Sequence, residues 1–216
     1  MKSVNRIVLV PGEDEIIEKK SRFIGELVPI TSEEDAFAYL ESVRKKHYNA
    51  SHHCFAYVLG EKNQTERASD DGEPSGTAGR PILHVLEGEE IHNALIVVTR
   101  YFGGTLLGTG GLTRAYTAAA KAAVEAAQTV ERLSGLRYHV RMDYTSLGKV
   151  QYIIGQMNLF TEEILYREDV EAVVIAPAEL GGAFVKKVTE ATGAKALISE
   201  GEPVSYGCVN GALKLL

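Results

Sequence analysis

Cysteine is scarce: Cys54 and Cys208 lie far apart, with no CxxC or Cys/His ligand spacing around either. That excludes a disulfide framework and gives no zinc pattern, so two reduced thiols in a cytoplasmic protein are expected. Long apolar runs are missing too. The densest, Ala94 to Val98, is far shorter than a bilayer span, and Met1 to Val10 carries Lys2 and Arg6 but no apolar core of a leader. Neither membrane insertion nor export is expected. Excess positive charge is absent. The net charge is −6, with 15 basic against 19 acidic residues before Gly135 and 8 against 10 after it. Such a chain does not coat nucleic acid by charge alone, although a local basic groove remains open to it. There is no internal repeat and no low-complexity tail.

What is present is ordinary for a folded chain: 45% apolar and 24% charged residues over a length of 216, enough for two domains with a core each. Arg6 to Val10 and Ser21 to Ile30 read as extended pieces around the turn residues Pro11-Gly12. Thr31-Ser32-Glu33-Glu34 is a capping-box pattern, and Ala36, Leu40, Val43 and His47 follow at helical spacing before the basic Arg44-Lys45-Lys46 end. His53 to Gly60 and Ala94 to Phe102 read as buried strands. Between them runs a long Asp/Gly/Pro/Ser loop, Ser69 to Pro81, of a length more often functional than decorative. An alanine-rich helix is expected from Leu112 to about Leu133, slim enough to approach a sheet closely.

Ser134-Gly135 reads as the domain boundary, giving domains of 1–134 and 135–216. Beyond it Tyr138, Val140, Met142 and Tyr144 alternate with Arg137, His139, Arg141 and Asp143. A helix with Leu147, Val150, Ile154 and Met157 follows, then strands at Leu159 to Arg167 and Val170 to Ala176, a helix opened by Pro177, and a strand at Ala196 to Ser199. The order β-α-β-β-α-β is a ferredoxin-like split βαβ pattern. Pro203 to Leu216 fits an edge strand or a frayed end.

The most specific local signal is Arg100-Tyr101-Phe102-Gly103-Gly104, continued by Leu107 to Arg114 with Gly108, Gly110 and Gly111. A strand ending in Arg and aromatics, a glycine turn and the start of a helix present outward amide N–H groups that attract anions. It is neither a Walker A loop, lacking the lysine and hydroxyl pair, nor a strict GxGxxG, because Thr113 stands where the third glycine would be. Two readings stay open here, contact with an anion or RNA backbone and plain close packing of strand on helix. Asp70, Asp71 and Glu73 could supply oxygens to a hard cation, or form a solvated turn paired with Arg67, Arg80 or Arg100. His52-His53-Cys54 suggests an activated thiol, but strand alternation separates His53 from Cys54, so a core cysteine beside surface histidines is the plainer expectation. Arg137, His139 and Arg141, with Tyr152 or Tyr166, would suit single-stranded RNA or simply a solvated sheet face.

These stretches, together with Ser21 to Gly25 (SRFIG), His52 to Gly60 and Ser69 to Leu83, resemble the YigZ/IMPACT family over most of residues 15 to 128. The resemblance implies an α+β protein. Its first domain would share the fold of the second domain of small-subunit ribosomal protein five, and its second domain would be similar to the fifth domain of elongation factor G. It also implies a translation-related regulatory role through RNA or ribosome contact, with no cofactor. Regulation of a stress-response kinase belongs to eukaryotic relatives carrying a further N-terminal domain, and is not carried over. On this reading Arg22, Arg80, Arg100 and Arg114 would join Gly103, Gly104, Gly108, Gly110 and Gly111 in contacting phosphates. The alternatives are a phosphate-ester or nucleotide enzyme, resting on fold analogy, and a protein-binding regulatory module. Nothing in the sequence specifies an oligomeric state.

Overall fold

The computed structural model describes residues 5–60, 64–209 and 212–216; Met1 to Val4, part of the stretch read for a leader, lie outside these. The chain is α+β and divides into two compact units, Met1–Glu131 and Arg132–Leu216.

In the first unit five strands, β1 apart, form one antiparallel sheet in the order β2-β3-β6-β4-β5. They are β2 (Gly12–Glu18), β3 (Ser21–Pro29), β4 (His52–Leu59), β5 (Thr65–Ser69) and β6 (Ala94–Tyr101), preceded by β1 (Asn5–Val10). β4 and β6 are apolar almost throughout because helices cover both faces of the sheet, so neither face can be polar. On one face α1 (Glu33–Lys46) packs Ala36, Leu40 and Val43 on Phe55, Tyr57, Leu95 and Val97. Ser32 caps α1 through its side chain and Asp35 returns the bond, while acids open the helix and bases close it, as its sequence predicts.

The other face carries α2 (Gly79–Gly88) and α3 (Gly108–Ala126), packed over Phe23, Leu27, Cys54, Ala56, Ile96 and Val98. Each such large side chain, fully buried, contributes about 1.5–3 kcal/mol of transfer free energy. The alanines of α3 have a specific use: a Cβ on Gly25 of β3 would collide with the carbonyl oxygen of Ala119. Bare backbone on the strand and methyl-sized side chains on the helix allow that approach.

Three expectations for this unit need correction. The alanine-rich helix stops at Ala126, not near Leu133, because Thr129 and Val130 are β-branched and the chain from Gln128 is already the strand β7 (Gln128–Met142). The loop expected to run to Pro81 ends earlier, with α2 starting at Gly79 and Pro81 tolerated in its first turn. The polar segment Gly12–Glu18 is a strand, although it follows a turn.

The second unit follows the expected element order: β7, α4 (Tyr144–Gln156), β8 (Phe160–Tyr166), β9 (Val170–Pro177), α5 (Ala178–Thr192) and β10 (Leu197–Val209), then β11 (Ala212–Leu215). Its strands pair antiparallel in the order β11-β10-β7-β9-β8. Tyr138, Val140 and Met142 of β7 point into a core shared with Val150 and Ile154 of α4 and Phe184 and Val188 of α5. The alternation ends one pair sooner than expected. Asp143 caps α4 by accepting from the Ser146 amide, and Tyr144 is an exposed helix residue. The terminal stretch resolves in favour of strand, as β10 extends past Pro203 and pairs with β11. No helix among the described residues is long and apolar enough to cross a membrane.

Candidate functional site

Strand register brings the polar residues of the first unit together. His52 lies directly opposite Arg100 across the β4–β6 pair, and Phe23 opposite Arg100 across β3–β6. Since Phe23 faces the α2/α3 core, Arg100 and His52 share that face. There Arg100, 5% exposed, reaches Glu73 of the acidic loop with Nη1 2.5 Å from Oε1. The Tyr116 hydroxyl of α3 donates to the same oxygen at 2.7 Å, and Nε2 of His52 stands 3.8 Å from it. Ser21, wholly buried, accepts from the Gly103 amide through Oγ at 3.1 Å. A charge this deep is tolerable because it is paired and hydrogen-bonded.

The acidic loop is held by its own carboxylates. Asp70 accepts from the amides of Gly76, Ala78 and Gly79 at 2.8, 2.9 and 2.9 Å. Burial would raise its pKa, but these three donors outweigh burial and hold it below the usual carboxylate value. Asp71, at φ 43°, accepts from the His53 amide at 2.6 Å and lies 3.4 Å from Arg44 of α1. The three carboxylates thus turn to three separate sets of donors and do not converge on a cation. Among the described residues no group of three or more His, Cys, Asp and Glu side chains could hold a metal ion.

Cys54 is fully buried, its thiol donating to the Asp70 carbonyl, and burial pushes its pKa far up. This is the opposite of an activated nucleophile. His53, expected at the surface, is buried at 8% exposure under α1, where desolvation lowers its pKa. His52 is half-buried, with Nδ1 2.8 Å from the Asp71 carbonyl. A carbonyl only accepts, so Nδ1 carries the proton and Nε2 faces Glu73.

Above this floor opens a cleft of about 510 Å³, walled by Phe102, Leu106, Leu107 and Leu112 and bounded by Gly108 and Thr109. The turn from Gly103 to Gly110 is half-buried to exposed. Gly103 is packed so tightly that a Cβ would collide with the Lys20 backbone, while Gly104 and Gly108 adopt φ of 81° and 71°, which favour glycine. Gly110 and Gly111 lie in the first turn of α3, which no side chain caps. Tight packing, positive φ and the uncapped helix start therefore fall on different glycines.

The expected arginine cluster does not form. Arg22 lies on the α1 side of the sheet and donates to Glu15 through Nε and Nη2 at 2.9 and 2.6 Å. Arg80 sits exposed on the first turn of α2, and Arg114 is exposed on α3 with its guanidinium beside Gly110, where an added Cβ would lie 3.6 Å from Nη1; neither is among the residues lining the cleft. Arg67 stacks over Phe37, 5.1 Å from its ring centroid. In the second unit Arg137 pairs with Glu162 and Arg141 with Asp169, and His139 Nδ1 lies 3.0 Å from Glu171, so both arginines of that face are matched by carboxylates. Tyr116 and Ser21, essential to the floor, lie 43 and 79 residues from Glu73 and Arg100 respectively. No local pattern marks them, apart from a lone tyrosine among the alanines of α3.

Comparison with known proteins agrees with the expected resemblance. The model for the Impact N-terminal domain matches residues 19–124, and the model for a Domain of unknown function (DUF1949) matches residues 140–195. The chain is 42% identical to the IMPACT family member YvyE of Bacillus subtilis over 88% of both chains. It is 41% identical to the IMPACT family member YigZ of Escherichia coli over 64% of this chain and 69% of that protein. A crystal structure of a hypothetical protein, 34% identical, covers 94% of this chain and 99% of its own, with a TM-score of 0.59. More distant is Yih1, whose structure is described as that of a two-domain translational regulator: 26% identity over 59% of this chain and 48% of that one, TM-score 0.33. The matched segments, the two units and the full-length similarity to YvyE together make this chain a two-domain member of the IMPACT family, of the bacterial type.

Proposed function

We propose that the protein contacts RNA or the ribosome in a translation-related, regulatory role, through the face of the first unit that carries the cleft. The observation that carries this reading is the uncapped start of α3, with exposed Gly108, Thr109 and Gly110, beside the exposed rings and chains of Phe102 and Leu106. Helix-start amides suit phosphate oxygens, and an exposed aromatic suits an unstacked base. The paired arginines argue for a few specific contacts and against a broad basic track. In the same spirit we read the first unit as the fold of the second domain of ribosomal protein five and the second as ferredoxin-like. The strand order β10-β7-β9-β8 around two helices supports the latter.

The nucleotide-enzyme alternative needs Asp70, Asp71 or Glu73 to hold magnesium beside Gly108 to Gly111, and their carboxylates are engaged with Gly76, His53 and Arg100. The apolar walls of the cleft keep the protein-binding alternative in play. Co-sedimentation with ribosomes at low salt, from lysate with and without nuclease, tests the proposal. Ribosome- or RNA-dependent recovery is expected. Recovery of a protein partner that nuclease leaves untouched, with no ribosome association, would favour the protein-binding module.

A further inference from the structure

Most arginines of the first unit are engaged. Arg6, Arg22, Arg44 and Arg100 each meet a carboxylate, and Arg67 lies over the Phe37 ring. Arg80 and Arg114 are the exceptions. Both are exposed, and neither guanidinium has a carboxylate or a hydrogen-bond partner among the described residues; the same holds for the exposed ammonium of Lys121.

These three cations belong to one groove. α2 and α3 lie side by side, and between them runs a furrow of about 450 Å³ whose lining includes Pro81, His84, Thr113, Thr117 and Lys121. Arg80 lies one turn before His84 on α2, and Arg114 one turn before Thr117 on α3. Residues three or four apart on a helix share a face, so the two arginines flank the furrow from opposite sides. Lys121 continues the row of Arg114 about 10 Å further along α3, at 1.5 Å per residue. The carboxylates of this surface sit at its far end, where Glu89 is held by Arg6 at 2.9 Å and Glu87 and Glu125 stand in the last turns of α2 and α3.

The chemistry of the furrow selects its partner. Cations spread along a helix match a repeated anion, and a nucleic-acid strand carries one charge every few ångströms. Between them the Thr113 hydroxyl donates to the Thr109 carbonyl and keeps its lone pairs, while the Thr117 hydroxyl is open to donate and accept; both suit ribose 2′-hydroxyls. No large apolar side chain is exposed on either helix among the described residues, so a splayed base finds nothing to stack on. Such a surface reads backbone and not base.

We propose that the furrow between α2 and α3 seats the sugar-phosphate backbone of a paired RNA segment, with Arg80, Arg114 and Lys121 on phosphates and Thr113 and Thr117 on ribose hydroxyls. This rests on the RNA-contact reading and adds to it a contact surface outside the cleft. A paired segment turns its bases inward and offers backbone and ribose, which is what these side chains can hold. With three charges the contact is short.

The test uses the full chain and fluorescence anisotropy with a labelled RNA hairpin in about 50 to 200 mM salt. The logarithmic salt slope is expected between about −2 and −3, corresponding to three phosphates. Arg80→Gln, Arg114→Gln and Lys121→Gln put a residue of similar helix propensity at exposed positions, so the fold is retained, and unchanged thermal midpoints check it. Each is expected to weaken hairpin binding about three- to tenfold, whatever the stem sequence, and to make the slope shallower by about 1. Lys45→Gln removes the same charge from an exposed position of α1, across the sheet, and is expected to leave affinity and slope unchanged.

A hairpin bound equally by the parent and the three variants, or weakened as much by Lys45→Gln, overturns the furrow while leaving RNA contact standing. So does an unstructured strand bound about tenfold or more tighter than the hairpin, since that gain comes from stacked bases. Polyglutamate competing as well as the hairpin at equal charge overturns it in favour of an acidic protein. Absence of binding to ribosomes and to every RNA removes both readings.

Discussion

Arg100 and Glu73 form an ion pair whose side chains are 6% and 4% exposed, joining the end of a central strand to the middle of an acidic loop. A pair this dry depends on both members. Glu73→Gln keeps an acceptor for Tyr116 but leaves the guanidinium without its counter-charge, and is expected to cost about 3–5 kcal/mol. Arg100→Met added to it is expected to recover more than half. Urea unfolding of the two singles and the double measures the coupling, and a single-variant cost below about 1 kcal/mol would show that the pair is not a closed unit.

Asp70 gives the loop a signature in acid. Its folded pKa lies below the unfolded value, so its contribution is complete above about pH 4 and is lost as pH falls through the folded value. Asp70→Asn is therefore expected to lose most stability near neutral pH and to converge with the parent in strong acid. Denaturation midpoints measured from pH 6 down to pH 2 decide it; a constant difference across that range contradicts the assignment.

The two thiols differ in kind. Cys54 is buried and its pKa raised, whereas Cys208 is exposed. One thiol per chain is expected to react promptly with a disulfide reagent in the native state and two after unfolding. Fast native labelling of both would mean that the sheet under α2 and α3 opens readily.

Gly25→Ala adds one methyl group where β3 meets the Ala119 carbonyl. The expected loss is about 1–3 kcal/mol from forced separation of strand and helix, seen as a lowered thermal midpoint. An unchanged midpoint would mean that α3 shifts freely over the sheet.

The elements with regular apolar spacing were legible in the sequence: α1 with its box around Ser32, the strands around Cys54 and Ile96, and the six elements of the second unit. What escaped did so for local reasons. Gly79-Arg80-Pro81 looks like loop and begins a helix, and the alanines before Gln128 favour a helix that β-branched Thr129 and Val130 end. In the site, the glycine turn and Arg100 stood out because they are contiguous. Whether an arginine is free or paired depends on residues distant in sequence, and Glu73 and Glu15 decided that for Arg100 and Arg22. Ser21 and Tyr116 were invisible for the same reason.

The short run from Asp70 to Glu73 reaches both sides of the sheet at once, Asp71 toward His53 and Arg44 on the α1 side, Glu73 toward Arg100 and Tyr116 beneath α3. A segment moored to both faces makes a poor lid, because swinging it would uncouple two layers together. On that rim of the cleft, formed by Glu73 and Pro74, any closing movement would therefore have to come from the opposite side, the turn from Phe102 to Gly108.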